Sequence, residues 1–585
     1  MELCYSSEKN IQIVISLLKA NNIRRVIISP GGTNVAFVAS LQCDSFFELY
    51  SCIDERSAAY MACGMAAETN EPVVLSCTGA TSSRNYMPAL TEAFYRKLPI
   101  LAITSHCGED RLYNLHPQQI DRNISPNDVF VKKVHAVTVT DGRSFRNCEL
   151  EVNRAILALI GKKAGPVHIN LYTNFQPDFS KKELPLVRRI EKFTEDSSLP
   201  DIKYDTIAIF IGSHKRFSEI ENQAIDKFCE CYNAVVIADH TSGYQGKYKV
   251  NITLSSIQNN YRSKLLDFDL LIHFGEISGD YYSCRVRPKM VWRVNPDGEI
   301  RDTFNNLSSV FEMDEMIFCS KYTVDRPIKE NFFYKDYVEE YNQLYNQIPD
   351  LPLSNIWIAK ELAPQIPENS KIHFGILNSL RSWNFFNINK GIIGYSNVGG
   401  FGIDGMLSSM LGASFVNRDT LFFGVLGDLA FFYDLNSLGS RHISGNVRIL
   451  LINNGKGTEF KNKESFAYQF GDEADLYIAA SGHNASMSRS LVKHFSEDMG
   501  FTYLTASTKS EVIDQIPIFI NRDTNINPIL FEVFTDSEDE TNALDSLFNL
   551  VPAQENDSAQ ESFTNKIKHS IKRRYNNTLD HLKIQ

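Results

Sequence analysis

Short apolar runs recur along this chain. Each is the length of one β-strand, and most end in a small polar residue or glycine. In the first third they are RRVIISPGG, PVVLSCTG and LPILAITS, separated by the helix-like segments ERSAAYMACGMAAE and YMPALTEAFYR. A continuous apolar run suits a strand buried on both faces, and strands alternating with helices are the βαβ units of a parallel sheet. GPVHINLY closes this region near Tyr172, and the charged linker QPDFSKKELPLVRRIEKFTEDSSLPD follows. A second α/β region, from about Asp205 to Tyr322, has TIAIFIG, NAVVIAD, DLLIHFG and KMVWRV as strands. After the connector DRPIKENFFYKDYVEEYNQ, a third has KIHFGI, TLFFGVLGD, VRILLINN and PILFEVF. The expected fold is α/β, with three doubly wound parallel-sheet domains at residues 1–180, 190–345 and 350–550 and a polar, then basic helical tail at 551–585.

The 585 residues exceed what one core can organise, which agrees with several domains. A net charge of −11, with no basic block before the last residues, argues against a nucleic-acid partner. The start MELCYSSEKN is not expected to be a signal peptide, and no apolar run is long enough to span a membrane. Eleven cysteines lie scattered without a CxxC or zinc-like pattern, so reduced thiols in a cytoplasmic location are expected.

Two patterns carry chemistry. In TLFFGVLGDLAFFYDLNSLGSRHISGNVRILLINNGKG, one strand ends at Gly427–Asp428 and the next at Asn453–Asn454. Asp428 and Asn454 then share the carboxyl edge of two parallel strands, where open α/β sheets bind ligands. The helix after Asp428 would favour an anion at its N-terminus. A carboxylate oxygen, an amide oxygen and a main-chain oxygen near Lys456 make half of an octahedral cage for Mg²⁺. Alone, the pattern is equally well read as a helix cap and a turn. The second pattern is CIDERSAAYMACGMAAETNEP, where Asp54 and Glu55 lead into a segment built for burial. Alone, Glu55 reads as a solvated acid at a helix N-terminus.

Together, the Gly-Asp…Asn-Asn spacing and the early glutamate resemble the thiamine diphosphate enzymes. The resemblance implies thiamine diphosphate and Mg²⁺ as cofactors, with Asp428, Asn454 and Lys456 at the metal. It makes Glu55 the residue that hydrogen-bonds the aminopyrimidine ring and promotes loss of the thiazolium C2 proton. SCTGATSSRNYMPALTEAF resembles the cofactor-lining loop and helix, bringing in Thr78 and Asn85. VGGFGIDGMLSSMLGA brings in Gly402, Ile403 and Asp404, with Ile403 as the apolar prop that bends the cofactor; an ordinary core residue would look the same. Gly427, Leu429, Ser379 in NSLRSW and Phe460 in GKGTEFKNKESF complete the cofactor set. HPQQID resembles a glutamine loop that reaches the substrate, which points to Gln118; a surface amide is the other reading. His106, after the strand LAITS, is placed for acid–base work.

SPGGTN, DERSAA, CTGATSSRNYMPALTEA, QQID, FGILNSL, GYSNVGGFGIDG and GDLAFFYDLNSL resemble the family's synthase of menaquinone biosynthesis over almost the whole chain. That synthase adds a fragment of 2-oxoglutarate to isochorismate and holds their carboxylates with arginines. Here Thr33, Cys107, Val398 and Trp383 occupy the arginine slots, and Arg381 is nearby but out of place. Cofactor machinery with altered clamps implies a different substrate pair. The expected reaction is decarboxylation of a 2-oxo acid and transfer of the acyl carbanion to an acceptor. His106, His116, Gln118, Lys456, Glu459 and Lys461 suggest an acceptor rich in hydroxyls, such as a sugar or nucleotide sugar. Simple decarboxylation, carbon–carbon hydrolysis and an inactive binding homologue stay open as alternatives. The family's cofactor lies between two subunits, so a homodimer or homotetramer is implied. No GxGxxG fingerprint marks the central region, so no FAD is expected.

Overall fold

The computed structural model of the chain describes residues 5–122, 124–161, 164–174, 178–483 and 488–552. The tail expected at 551–585 lies almost wholly outside them. Two compact units are present: the described residues up to Lys192 with Ser308–Val310, and Phe193–Leu307 with the described chain from Phe311 onward.

The first unit is built on a six-stranded sheet: β1 Arg25–Ile28, β2 Glu48–Ser51, β3 Val73–Thr78, β4 Ile100–His106, β5 Lys132–Ala136 and β6 Val167–Tyr172. Its spatial order is β2-β1-β3-β4-β6-β5, and every pair is parallel. Alternate residues feed two cores: Val26, Val74, Leu101 and Ile103 on one face, Ile27, Leu75, Cys77 and Ala102 on the other. The inner strands β3, β4 and β6 are therefore buried on both sides, which is why these segments are continuously apolar.

The second unit holds two sheets. One has seven strands: β7 Glu191–Thr194, β8 Ile207–Ile211, β9 Val235–Ala238, β10 Lys249–Val250, β11 Asp267–Phe274, β12 Arg287–Val294 and β13 Leu307–Glu312, in the order β10-β9-β8-β11-β12-β13-β7. The other has β14 Lys371–Phe374, β15 Ile393–Tyr395, β16 Phe422–Gly427, β17 Val447–Asn453, β18 Thr502–Ala506 and β19 Ile529–Phe534, all parallel, in the order β15-β14-β16-β17-β19-β18. Numbered within themselves, the first and third sheets share one winding, 2-1-3-4-6-5. In both, winding reverses between the first and third strands, which opens a crevice at the carboxyl edge. Leu254, Ile257 and Tyr282 from the seven-stranded region join Trp383, Phe385 and Leu547 in one core, so these two sheets pack as a single body.

Helix starts explain the acids of the second pattern. Asp54 caps the helix Glu55–Thr69, its carboxylate accepting from the Ser57 amide at 2.7 Å. Glu55 is then the first helical residue, while Ala58, Ala59, Ala62 and Ala66 form the buried face. Asn70 ends the helix in a left-handed conformation. The segment YMPALTEAFYR is helical from Met87, with Pro88 in the first turn, where its missing N–H costs nothing. The helix after Asp428 is short, Asp428–Tyr433, and passes into a 3₁₀ turn, so it has less dipole than its sequence implied.

Asp280 shapes a turn that later matters for the site. Its carboxyl is 1% exposed and accepts from the amides of Tyr282 (3.0 Å) and Ser283 (3.2 Å). Burial, helped by the charge of Asp239, pushes its pKa from 3.8 up to about 6. The folded chain thus holds this proton more tightly than the unfolded chain. The stability it contributes is full below about pH 3.8 and lost as pH rises through about 6. Asp280→Asn removes that titration. The melting temperature of the variant relative to wild type should climb between pH 4 and about pH 7, and a constant difference across that range would refute the assignment.

Candidate active site

The structure places the two sequence patterns at equivalent places, on carboxyl edges of like-wound sheets. In the third sheet β16 and β17 are neighbours with Gly427 opposite Ile452, so Asp428 and Asn454 emerge from adjacent strand ends. Asp428 is 3% exposed. Its Oδ1 accepts from the Leu429 amide at 2.9 Å, and its Oδ2 from the Gly455 amide at 2.8 Å. Burial pushes its pKa up to about 6, against those hydrogen bonds, and Glu532 raises it further. Asn454 Oδ1 is buried without a hydrogen-bond partner.

A buried carboxylate held only by amides and an orphaned amide oxygen are both short of positive charge. Mg²⁺ takes such hard oxygen donors, so these residues fit the metal, with the main chain near Lys456 as the third donor. Among the described residues no group of three or more His, Cys, Asp or Glu could hold a metal ion, so a zinc-type cluster is not the basis of this site.

The surroundings of the loop differ from the sequence expectation. Lys456 and Lys461 both pair with Asp475, at 2.6 and 2.5 Å. Burial raises the Asp475 pKa, but the two lysines win and hold it below its ordinary value. Glu459 is bound by the guanidinium of Arg381, with Nη2 2.9 Å from Oε2 and 3.0 Å from Oε1. Arg381 is 6% exposed, and burial works against its charge, yet Glu459 raises its pKa overall. The Tyr282 ring lies 5.4 Å from that guanidinium and 4.7 Å from Arg285, which pairs with Glu464. The polar residues read as acceptor contacts are thus a strap fixing the segment after Asn454. Phe460 is 38% exposed and packs beside Gly457. Ser379 is buried in the helix Asn378–Asn384. Gly427 and Leu429 flank Asp428 and are half-buried, as are Gly402 and Ile403, and Asp404 is exposed. Ile403 packs against the core of Met406 and Leu407.

In the first unit Glu55 Oε2 accepts from Asn85 Nδ2 at 3.2 Å, which joins two of the expected residues. Thr78 is 8% exposed, and its hydroxyl donates to Ser82 at 3.0 Å. His106 is the last residue of β4 rather than a loop residue, 8% exposed, with its ring edge-on to Tyr172 at 4.4 Å. Burial first, then Arg122 and His135, lower its pKa to about 3. It is therefore neutral at physiological pH, which argues against the acid–base role read from its position. Gln118 is exposed on a loop with a left-handed backbone (φ 63°), and His116 is exposed nearby. The residues in the arginine slots have structural contacts. The Thr33 hydroxyl donates to the Ser105 carbonyl at 2.7 Å, and Cys107, Val398 and Trp383 are buried.

Residues 9–125 match the family model described as "Thiamine pyrophosphate enzyme, N-terminal TPP binding domain". That stretch is thus similar to the cofactor-binding N-terminal domain of thiamine diphosphate enzymes. Its relatives named 2-succinyl-5-enolpyruvyl-6-hydroxy-3-cyclohexene-1-carboxylate synthase include those of Phocaeicola vulgatus, Bacteroides thetaiotaomicron and Flavobacterium johnsoniae. The first is 27% identical over 564 residues, covering 92% of this chain and 98% of the relative. The second is 27% identical over 573 residues, 93% and 99% respectively. The third is 27% identical over 555 residues, 90% and 95%.

One supporting group of the site is absent from the sequence patterns. Glu532, in the middle of β19, is fully buried; its oxygens accept from Asn453 Nδ2 and the Tyr503 hydroxyl, each at 2.7 Å. Asn453 immediately precedes Asn454, so this bridge across β17, β19 and β18 fixes the strand end that carries the Asn454 amide. Only the placement of an acid in a run as apolar as PILFEVF hinted at it. Glu532→Leu leaves two buried groups without partners, at about 1–3 kcal/mol each. A loss of about 2–5 kcal/mol in urea-induced unfolding is expected, with Glu532→Gln losing less. A Leu variant as stable as wild type would show the bridge to be dispensable.

Proposed function

We propose that this chain uses thiamine diphosphate and Mg²⁺ to decarboxylate a 2-oxo acid and to transfer the resulting acyl carbanion to an acceptor of the sugar or nucleotide-sugar class. The observation that carries this is the pairing of the buried Asp428 carboxylate with the partnerless Asn454 oxygen on adjacent strand ends. When bound, the cofactor supplies a carbon nucleophile and an electron sink for the bond that breaks. The chain supplies the rest. Asp428, Asn454 and the main chain near Lys456 hold the metal, and through it the diphosphate. Glu55, hydrogen-bonded by Asn85, would hold or accept a proton at its carboxyl oxygen. Ile403 would prop the cofactor, and Gly402, Asp404, Gly427, Leu429, Ser379, Thr78 and Phe460 would help to hold it. Substrate contact falls to Gln118 and to the edge around His106.

Glu55 and Asp428 belong to different compact units. The assembly we propose is a homodimer or homotetramer in which one copy supplies Glu55 and another Asp428. The cysteines Cys43 to Cys319 are free, which suits a reducing cytoplasm. Among the described residues no helix is long and apolar enough to cross a membrane.

Titration calorimetry of thiamine diphosphate into metal-stripped protein tests the cofactor. Binding should require Mg²⁺, and Asp428→Ala should weaken it by about a hundredfold or more. No binding to wild type would sink the reading. CO₂ release from a panel of 2-oxo acids should fall by about 10²–10⁴ in Glu55→Gln. Mixing the inactive Glu55→Gln and Asp428→Ala proteins should restore up to about a quarter of wild-type activity per dimer pool, because each mixed dimer regains one intact site. No recovery after verified subunit exchange would exclude sites shared between copies.

A further inference from the structure

One face of the first sheet is polar where β4 and β6 lie side by side. Thr104 is opposite Asn170, and His106 is opposite Tyr172. A cavity of about 20 Å³ opens there, lined by His106, Asn170, His135, Arg122 and loop residues including Leu112 and Gln119. His106 is 8% and Asn170 1% exposed, and among the described residues neither His106 Nε2 nor Asn170 Oδ1 has a hydrogen-bond partner. Each orphan is destabilising unless something fills the space. The cavity has room for one oxygen atom.

The chemistry of that oxygen is constrained. The group must donate to Asn170 Oδ1, which has no proton to give. It must also meet His106, which is neutral and can donate from Nε2. A hydroxyl does both; a carboxylate cannot donate, and an ammonium would sit beside the guanidinium of Arg122. The same guanidinium donates to the Thr104 hydroxyl at 3.3 Å, and that hydroxyl is also hydrogen-bonded to His168 Nε2, 2.8 Å away, so part of the guanidinium's donor capacity is spent there. A water meets the same requirement, and a substrate hydroxyl replaces it without loss of a hydrogen bond.

Position agrees with this. β4 is the fourth strand of its sheet, as β17 is of the third, and β17 leads to Asn454. Arg122 lies against Gly79, where a Cβ would collide with its Nη1, so the cavity borders the loop that follows Thr78.

We propose that the cavity between the ends of β4 and β6 seats a hydroxyl group of the acceptor, gripped by His106 Nε2 and Asn170 Oδ1. This rests on the carboligase reading above and narrows its acceptor to one bearing a neutral hydroxyl. His106 is then a specificity-determining residue.

The test uses holoenzyme with pyruvate as donor and glycolaldehyde or acetaldehyde as acceptor, a pair differing by one hydroxyl. Wild type should favour glycolaldehyde in kcat/KM by about 10²-fold or more, since a site built for a hydroxyl penalises its absence. Asn170→Leu and His106→Phe should bring the ratio close to one, chiefly through the KM for glycolaldehyde, while His106→Gln, which keeps an N–H, should retain part of it. Independently of turnover, the His106 Nε2 signal in ¹⁵N-histidine NMR should shift saturably with hydroxyacetone, not with acetone, and not in Asn170→Leu. A wild-type ratio near one, or no saturable shift, overturns the proposal. Absence of CO₂ from every 2-oxo acid alongside a positive NMR shift would instead discard the carboligase reading and leave the hydroxyl seat standing.

Discussion

Parallel pairing is the constraint on which the rest of this molecule depends. Each strand must return to the same end of the sheet before the next begins, so all carboxyl ends collect on one edge. Glu55 follows β2, Thr78 ends β3 and His106 ends β4; Ser379 follows β14, Asp404 β15, Asp428 β16 and Asn454 β17. Within each sheet, groups far apart in sequence reach the same edge without any interaction drawing them there. What remains for side-chain chemistry is to fix each group in place, and the structure does so from beneath, through Glu532 under Asn453 and through Asp280 in the turn that carries Tyr282.

Charge is managed differently in the two units. The third sheet concentrates unmet negative character at Asp428 and Asn454 but neutralises the strap around them, lysines against Asp475 and Arg381 against Glu459. The first sheet holds neutral imidazoles beside Arg122. At the positions read as arginine slots, Thr33 spends its hydroxyl on a main-chain carbonyl and Trp383 is part of the core. Restoring an arginine at Trp383 would open a hole in that core as well as add a charge.

Much of this was legible in the sequence, for physical reasons. Strands buried on both faces announce themselves as apolar runs, and Asp428 and Asn454 could be placed because each directly follows one. Edge strands gave no such signal. β2, with the sequence ELYS, has two half-buried and two exposed residues, and β15 has only three residues. The short strands β10 and β18 passed unnoticed for the same reason. The strap was illegible because Arg381 and Glu459 are 78 residues apart and nothing local marks them as partners. His106 ends β4, and burial and Arg122 lower its pKa to about 3, effects that no local sequence pattern carries.

The shared winding of the first and third sheets has a consequence for how such a chain can change over time. On the reading proposed above, two sheets of one winding divide the labour: one would anchor a metal and a diphosphate, the other would face the reactive ring. Insertions and substitutions in the loops after β3 and β4 alter the second role and leave the anchor as it was. A chain built this way could change what it binds through the loops of its first unit, about a third of its length, while the buried contacts beneath Asn453 and Asp428 stay as they are.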